Sequence, residues 1–436
     1  VRPGDLPDAV IWHEIEVWAR VGPDYVQLVL ALASTLFDEE ILRSACRRVG
    51  SSYDALVYPQ LAAGERSVST QQAFDLVALA DVARRDPVAA QYFSIAGGTF
   101  EGFRDALGGT PFLSAFERFI SQYGHRGHYE SDWALPRYRE EPSPILFAIQ
   151  AHLADARPDE VARTADRLER AAADAWRALV ARTTWWQRLT LVPRVKSTIR
   201  RLKRRYVMRE KARSDLTRVL AEVRRWHLEL AVRFVSRGWL RRRDDYFLLH
   251  FSEIGAVISD PATGPELAAI AERRGEQLAV ERPLRMPMLM RESGLPAMVG
   301  RVSAEGPLES PRLNGLCVSP GCVDGEIVVI LDPRHFRLMK RGAILVAPAT
   351  DPSWTPLFTL AAGVIVEVGG MLSHASTIAR EYGLPALANV KDATRRLRTG
   401  ERVRLDATGG VVVPCGAGAP VSTPEPLVCF EDRPLT

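Results

Sequence analysis

One histidine stands at the head of an expected helix in GGMLSHASTIAREYGLPALANV, residues 369–390. The strand-like run GVIVEV (363–368) leads into Gly369 and Gly370, which let the chain turn sharply. Ser373 is a favourable N-cap, so His374 falls in the first turn, beside backbone N–H groups that lack an intrahelical acceptor. Together with the positive end of the helix dipole, those groups suit an anion such as phosphate. A cation is disfavoured at that end, so the imidazole leans towards its neutral, nucleophilic form. Neutral imidazole can attack phosphorus, and the phosphoryl group it gains then lies against the helix donors. Gly369, Gly370 and Ser373, with Thr377 one turn on and Arg380 two turns on, are the candidate phosphate-holding residues. Residue types and spacing alone leave three uses of His374 open: a phosphoryl acceptor, a structural histidine at a helix start, or a metal ligand.

The elements that must position this histidine change character along the chain. The 436 residues, 47% apolar and 25% charged, are enough for two or three domains with a sizeable core. From residue 5 to about 290 the apolar spacing is helical, as in 69–85, 158–182 and 206–240, where long charged helices imply antiparallel packing side by side. Beyond 290, short β-branched runs punctuated by Gly, Pro and Asp occur at 312–333, 342–350, 363–370 and 401–414. Amphipathic helices at SWTPLFTLAA and SHASTIAREYG alternate with them. The fold class expected is multidomain α and α/β: a helical domain over 1–290, a Gly/Pro-containing hinge over 291–315, a compact α/β domain over 316–415 and a flexible tail over 416–436.

A net charge of +4 is too mild to imply a polyanion partner. The cluster RVKSTIRRLKRRY (194–206), with seven Lys/Arg, reads as a solvated helix face or arm, a phosphate-ligand or acidic-partner site, or a nucleic-acid contact; no aromatic interleaving supports the last. No apolar run reaches membrane-spanning length and the N-terminus has no signal pattern, so a cytoplasmic location without membrane or nucleic-acid partners is expected. The scattered Cys46, Cys317, Cys322, Cys415 and Cys429 form no Cys-x-x-Cys pair, and no metal site is expected.

Residues 347–413 resemble the swivelling phosphohistidine domain of the phosphoenolpyruvate-utilising enzymes, among them phosphoenolpyruvate synthase, pyruvate phosphate dikinase and rifampin phosphotransferase. The pattern Gly-Gly-x-x-Ser-His-Ala, then Ala-Arg-Glu-x-Gly-x-Pro-Ala, is nearly complete, and it lays His374 on the family's phosphorylated histidine. Asn389 stands where many relatives have glycine; beyond the first helix turns, it is expected to be a packing variation that keeps the acceptor. More weakly, 119–142, 206–216 and 237–254 resemble the substrate-binding region of the rifampin phosphotransferase type. In the first of these Tyr129 replaces a glycine common in relatives. His125, Arg126, His128, Glu130 and Asp132 crowd this segment. A hydroxyl attacking phosphohistidine needs a base, which Glu130 or His128 could supply, and cations on the phosphoryl oxygens, which Arg126 or Arg137 could supply, with Asp132 a further substrate contact. The alternative is a polar loop knitted by salt bridges. Asp244, Asp245 and Tyr246 read more readily as structural.

The relatives charge their histidine with an ATP-grasp domain, and the synthase and dikinase add a barrel of roughly 250 residues. Neither fits a helical 1–290 without a Gly-rich phosphate-cradling loop or Walker-type segment. The resemblance therefore implies the acceptor side of a split phosphotransferase. ATP and Mg2+ act through a separate ATP-grasp partner, this chain binds neither tightly, and a small organic molecule supplies the accepting hydroxyl. The ester formed is the product or the leaving group of an elimination. The rival readings are a non-catalytic binding or regulatory protein with the same fold, or a fragment of a full-length rifampin phosphotransferase-like enzyme.

Overall fold

The computed structural model describes residues 3–32, 36–96, 100–154, 160–281, 312–370 and 373–415. The described elements up to Glu281 are helices, apart from a bridge between Gly127 and Arg137, and strands alternate with short helices from Leu313 to Pro414. The architecture is a large helical region followed by a mixed α/β sheet domain, as the change of pattern near residue 290 predicts. Of the expected hinge, 291–311 lie outside the described residues, as does the tail 416–436. No helix among the described residues is long and apolar enough to cross a membrane.

Two compact units share the chain. One holds the described residues of Val1–Leu28, Ser131–Leu135 and Leu216–Glu309; the other holds those of Val29–Glu130, Pro136–Asp215 and Ser310–Thr436. In the first, Ile11, Trp12, Leu230, Phe234 and Tyr246 form the core. Arg233 donates to the Leu6 carbonyl and to Asp8, each at 2.7 Å. Asp245 accepts from the Arg242 N–H at 3.0 Å, and the Tyr246 hydroxyl meets His227 Nδ1 at 3.0 Å. Both residues thus hold adjacent turns together.

In the second unit the periodic stretch 69–85 folds as the helix Val68–Arg85, whose N-cap Ser67 accepts the Thr70 N–H at 3.3 Å. Its Leu76, Leu79 and Ala80 pack with Phe112, Phe116, Leu146 and Ile149. Burying such a side chain contributes about 1.5–3 kcal/mol. The stretch 158–182 gives Glu160–Ala181, and residues 206–236 of the stretch 206–240 belong to one 52-residue helix, Trp185–Ser236. That helix absorbs the basic cluster. Val195, Ile199, Leu202 and Tyr206 form its buried stripe, and Arg201 and Arg205 pair with buried Asp38.

The sheet has eight strands: β1 (Leu313–Asn314), β2 (Leu316–Ser319), β3 (Cys322–Val329), β4 (Ile344–Ala347), β5 (Gly363–Val366), β6 (Ala386–Ala388), β7 (Arg402–Asp406) and β8 (Val411–Pro414). Their order is β1-β8-β7-β3-β4-β5-β6-β2. β3 to β6 run parallel, and antiparallel strands flank them on both sides. All residues of β4 and β5 are buried, because helices and loops cover both faces. Val364 and Val366 point to a core shared with Ile378 and Ala379; Ile365, one residue out of phase, points to Leu387 and Leu405. After β5 the chain turns through Gly369 and Gly370 into the helix His374–Tyr382. Its first residue therefore sits beyond the carboxyl ends of the parallel strands, where open α/β sheets place their ligands.

The far end of that helix is fastened to the helical part of the same unit. Glu381 accepts the Ser67 N–H at 3.2 Å and the Ser67 hydroxyl at 2.9 Å, so a carboxylate of the sheet domain extends the cap of Val68–Arg85. Tyr382 packs on Phe74 with ring centres 5.0 Å apart, and the Tyr138 hydroxyl donates to the Ser353 carbonyl at 3.0 Å.

Candidate active site

Ser373 caps the helix as its residue type predicts, accepting the Ser376 N–H at 3.4 Å, and Gly383 ends it in the left-handed region. Gly369 is closely approached: a Cβ there would lie 3.0 Å from Ser373 Oγ, which would have to shift slightly. The Gly370 carbonyl accepts the Ser376 hydroxyl at 2.6 Å, which ties the turn to the first helical residues. Thr377 spends its hydroxyl on the Ser373 carbonyl at 3.2 Å. Arg380 reaches away from the helix start, donating to the Val318 carbonyl at 3.1 Å and lying over the Tyr58 ring.

His374 is 4% exposed, its ring stands edge-on to Phe358, and neither ring nitrogen hydrogen-bonds another residue. Burial pushes its pKa down to about 3, the charge of Glu210 opposes that shift, and Arg213, Arg126 and Arg209 add to it. The imidazole is thus neutral, as its place at a helix start suggests, but desolvation is the main cause.

A connected polar network surrounds these charges. Arg126, fully buried, donates through Nη1 to Ser69 Oγ at 3.1 Å and Gln72 Oε1 at 3.0 Å. Ser69 donates onward to Glu210 Oε2 at 3.2 Å, and Arg209 reaches Glu210 Oε1 at 3.1 Å. Arg126 Nε lies 3.9 Å from Glu130 Oε1, and Nε and Nη2 hydrogen-bond no other residue. Burial raises the pKa of Glu130; Arg126, Arg213 and Arg137 pull it down without cancelling that shift. Glu210 goes the other way. Burial would raise it, but His374, Arg209, Arg213 and Arg126 outweigh burial and hold its carboxyl low.

Of the residues singled out in 119–142, the structure brings Arg126, Glu130 and Arg137 together, all buried. Glu130 feels two of the arginines that His374 feels, Arg126 and Arg213. His128 answers to another set. Burial pushes it down to about 4, its charged neighbours are Asp351, Asp332, Arg334 and Glu141, and its ring stacks on Phe336. Asp132 is exposed, accepts the Ala134 N–H at 2.8 Å and belongs to the other unit. Glu210, Arg209 and Arg213 carry no role in the sequence reading, although they lie in 206–216, one of the stretches that resembles rifampin phosphotransferases. Helical periodicity could not reveal which face of a 52-residue helix meets the sheet domain.

Residues 27–210 match the family described as rifampicin phosphotransferase fourth domain, and residues 339–410 match PEP-utilising enzyme, mobile domain. This chain carries both domains. Rifampicin phosphotransferase of Streptomyces sviceus is 31% identical over 358 residues, covering 79% of this chain and 40% of that protein. Rifampicin phosphotransferase of Bacillus cereus is 28% identical over 359 residues, covering 80% and 40%. A probable phosphoenolpyruvate synthase of Pyrococcus abyssi is 42% identical over 100 residues, covering 23% of this chain and 12% of that protein. The chain thus spans about two fifths of the length of the rifampicin phosphotransferases it matches. The mobile domain includes His374, and the fourth domain includes Arg126, Glu130 and Glu210.

Both departures from the family pattern fall on left-handed backbone: Tyr129 at φ 49° and Asn389 at φ 54°. Glycine suits such positions and Asn tolerates them, so Asn389 reflects a backbone requirement more than packing. Its Oδ1 accepts the Gly369 N–H at 3.4 Å, which keeps it in touch with the turn before His374. Tyr129 has no such compensation in its residue type, and the left-handed region costs a bulky residue about 1–2 kcal/mol. Tyr129→Gly is therefore expected to be more stable than Tyr129→Ala by about 1 kcal/mol in urea unfolding. The opposite order, normal for unstrained backbone, would contradict the left-handed turn.

The neutral His374 also dictates a pH dependence. Its folded pKa is depressed from 6.5 to about 3, so the unfolded chain takes up a proton that the folded chain refuses, and stability present above pH 6.5 is lost as pH falls below it. From pH 7.5 to 5.5 this site costs about 1.4 kcal/mol. His374→Gln should show a decline smaller by that amount than the parent's in urea unfolding at the two pH values. An identical decline in both proteins would mean that the buried imidazole keeps its ordinary pKa.

Proposed function

We propose that this chain is a phosphotransferase component that carries a phosphoryl group on His374 and passes it to a hydroxyl of a small organic substrate. The observation that carries this reading is the shared cage: a neutral buried imidazole and a buried carboxylate, Glu130, under the same arginines, Arg126 and Arg213. In the transfer the substrate oxygen attacks phosphorus, the N–P bond breaks, a P–O bond forms, and the hydroxyl proton passes to Glu130. Glu130 then releases that proton, and the imidazole takes one up at the ring nitrogen that carried no phosphoryl group, so that it leaves neutral and the carboxylate is restored. Arg126 supplies buried N–H groups to the phosphoryl oxygens, and Arg137, buried beside Glu130, adds positive charge. Burial raises the pKa of Glu130, which makes its carboxylate a stronger proton acceptor than an exposed one. Glu130 is preferred to His128 as the base because it lies under the arginines that surround the phosphoryl carrier. Both rifampicin phosphotransferase relatives support the reaction class.

The phosphoryl donor in this reading is an ATP-grasp protein acting in trans, which supplies the ATP and Mg2+ chemistry. Elimination of the phosphate ester is a further step that the same substrate could undergo. For the mobile domain to visit a donor, the contacts of Glu381, Tyr382 and Ser353 with the helices must open, and the hinge would be the segment 291–315.

Intact-mass spectrometry at neutral to mildly alkaline pH, with Mg2+, ATP and a candidate ATP-grasp partner, tests the acceptor. The expected result is a single phosphate adduct that depends on the partner and is absent in His374→Ala, with the variant's circular dichroism unchanged. An adduct persisting in His374→Ala would remove that residue from the mechanism. Glu130→Gln should still be phosphorylated but deliver phosphate to substrate about 100-fold or more slowly, the scale of general-base contributions. Delivery at the parent rate would exclude Glu130 as the base.

A further inference from the structure

One cavity among the described residues lies away from His374. A groove of about 690 Å³ lies at the opposite end of the His374–Tyr382 helix, between the sheet domain and the helices Tyr53–Ala62 and Glu160–Ala181. Four arginines line it, Arg163, Arg167, Arg341 and Arg380, and among the described residues no aspartate or glutamate does. Arg163 and Arg167 project from an exposed helix face, whereas Arg341 is half-buried and Arg380 is buried. Pro59, Leu168 and Pro385 supply apolar wall.

We propose that this groove is a second ligand site, for a small organic anion that carries a phosphate or carboxylate on an apolar body. The volume falls in the range of small-molecule sites, and guanidinium groups recognise both anions through paired hydrogen bonds. One-signed lining in a concave wall focuses the field on the ligand. Two parts of the unit must be together for the groove to exist: Arg163 and Arg167 come from a helix of the fourth domain, and Arg341 and Arg380 from the mobile domain. A ligand bound across them favours the docked arrangement by its differential affinity. The inference does not depend on the phosphotransferase reading.

Fluorescence titration of the full chain with 1-naphthyl phosphate and 1-naphthoate, with inorganic phosphate and neutral 1-naphthol as controls, tests the site. At least one naphthyl anion is expected to bind at least tenfold more tightly than either control, and the tighter of the two identifies the headgroup. The Arg163→Glu, Arg167→Glu double variant, altered only at exposed positions, should weaken that binding at least tenfold with its circular dichroism unchanged. Binding unaffected in the double variant, or lost in His374→Ala instead, would put the anion elsewhere and overturn the proposal. Absence of saturable binding by both anions at millimolar concentration would also overturn it.

Discussion

Burying an imidazole whose nitrogens hydrogen-bond no other residue works against folding, since each unsatisfied buried polar group costs about 1–3 kcal/mol. The structure accepts this cost at His374, within the electrostatic reach of a guanidinium, Arg126, that has donors in the same condition. The two are complementary through a group that neither can supply to the other. A neutral imidazole offers a lone pair to phosphorus, and a phosphoryl group carries about two negative charges to meet the arginine donors. Three arginines against one glutamate act on His374, so the surroundings favour an anion on the ring over a proton on it.

The rest of the unit can be read as the means of holding that cage. Parallel strands bring the loops after β4, β5 and β6 to one edge of the sheet, where Asp351, His374 and Asn389 follow. Asp351 fixes its own turn by accepting the Ser353 N–H at 2.8 Å, and the Ser353 carbonyl receives Tyr138 from the segment that carries Arg126 and Glu130. That segment folds back tightly: the Tyr138 N–H donates to the Arg126 carbonyl at 2.6 Å, and a Cβ on Gly127 would approach the Pro136 carbonyl to 2.5 Å. Glu210 is placed by a long helix and tied to Arg126 through Ser69. Cage residues thus come from several separated stretches, held by hydrogen bonds within and between them.

What was legible in the sequence follows from this division of labour. The helix start at His374, its serine cap, the preceding strand and the helix Val68–Arg85 are local features, and periodicity and cap chemistry reveal local features. The basic cluster at 194–206 was ambiguous because its charges are conspicuous while its function is carried by the four apolar residues between them. Glu210 and Arg213 were invisible for the same reason in reverse: on a charged helix nothing distinguishes the turn that meets the imidazole from the turns that meet water. Tyr129 and Asn389 looked like mere substitutions, because a positive φ is a property of the backbone path and leaves a sequence signal only when glycine is present. The helix start that the sequence shows accounts for only a small part of the neutrality of His374. A dipole shifts a charge by about 0.3–1 kcal/mol at a surface, whereas full burial can shift a pKa by several units, and only the three-dimensional packing shows that the ring is buried.

The nine-residue helix His374–Tyr382 joins the two sites described. At 1.5 Å per residue its ends are about 12 Å apart, too far for direct contact between a phosphoryl group on His374 and a ligand among the groove arginines. Both nevertheless act on one rigid body. The imidazole occupies its first residue; Arg380 lines the groove, Glu381 caps a helix of the fourth domain, and Tyr382 lies on Phe74. In the transfer proposed above, a group bound in the groove therefore bears on the same last turn whose contacts open when His374 moves to its donor. Coupling of this kind needs no strained intermediate and no path of shifting side chains. It requires only that docking be a two-state event and that the groove ligand bind one state better than the other.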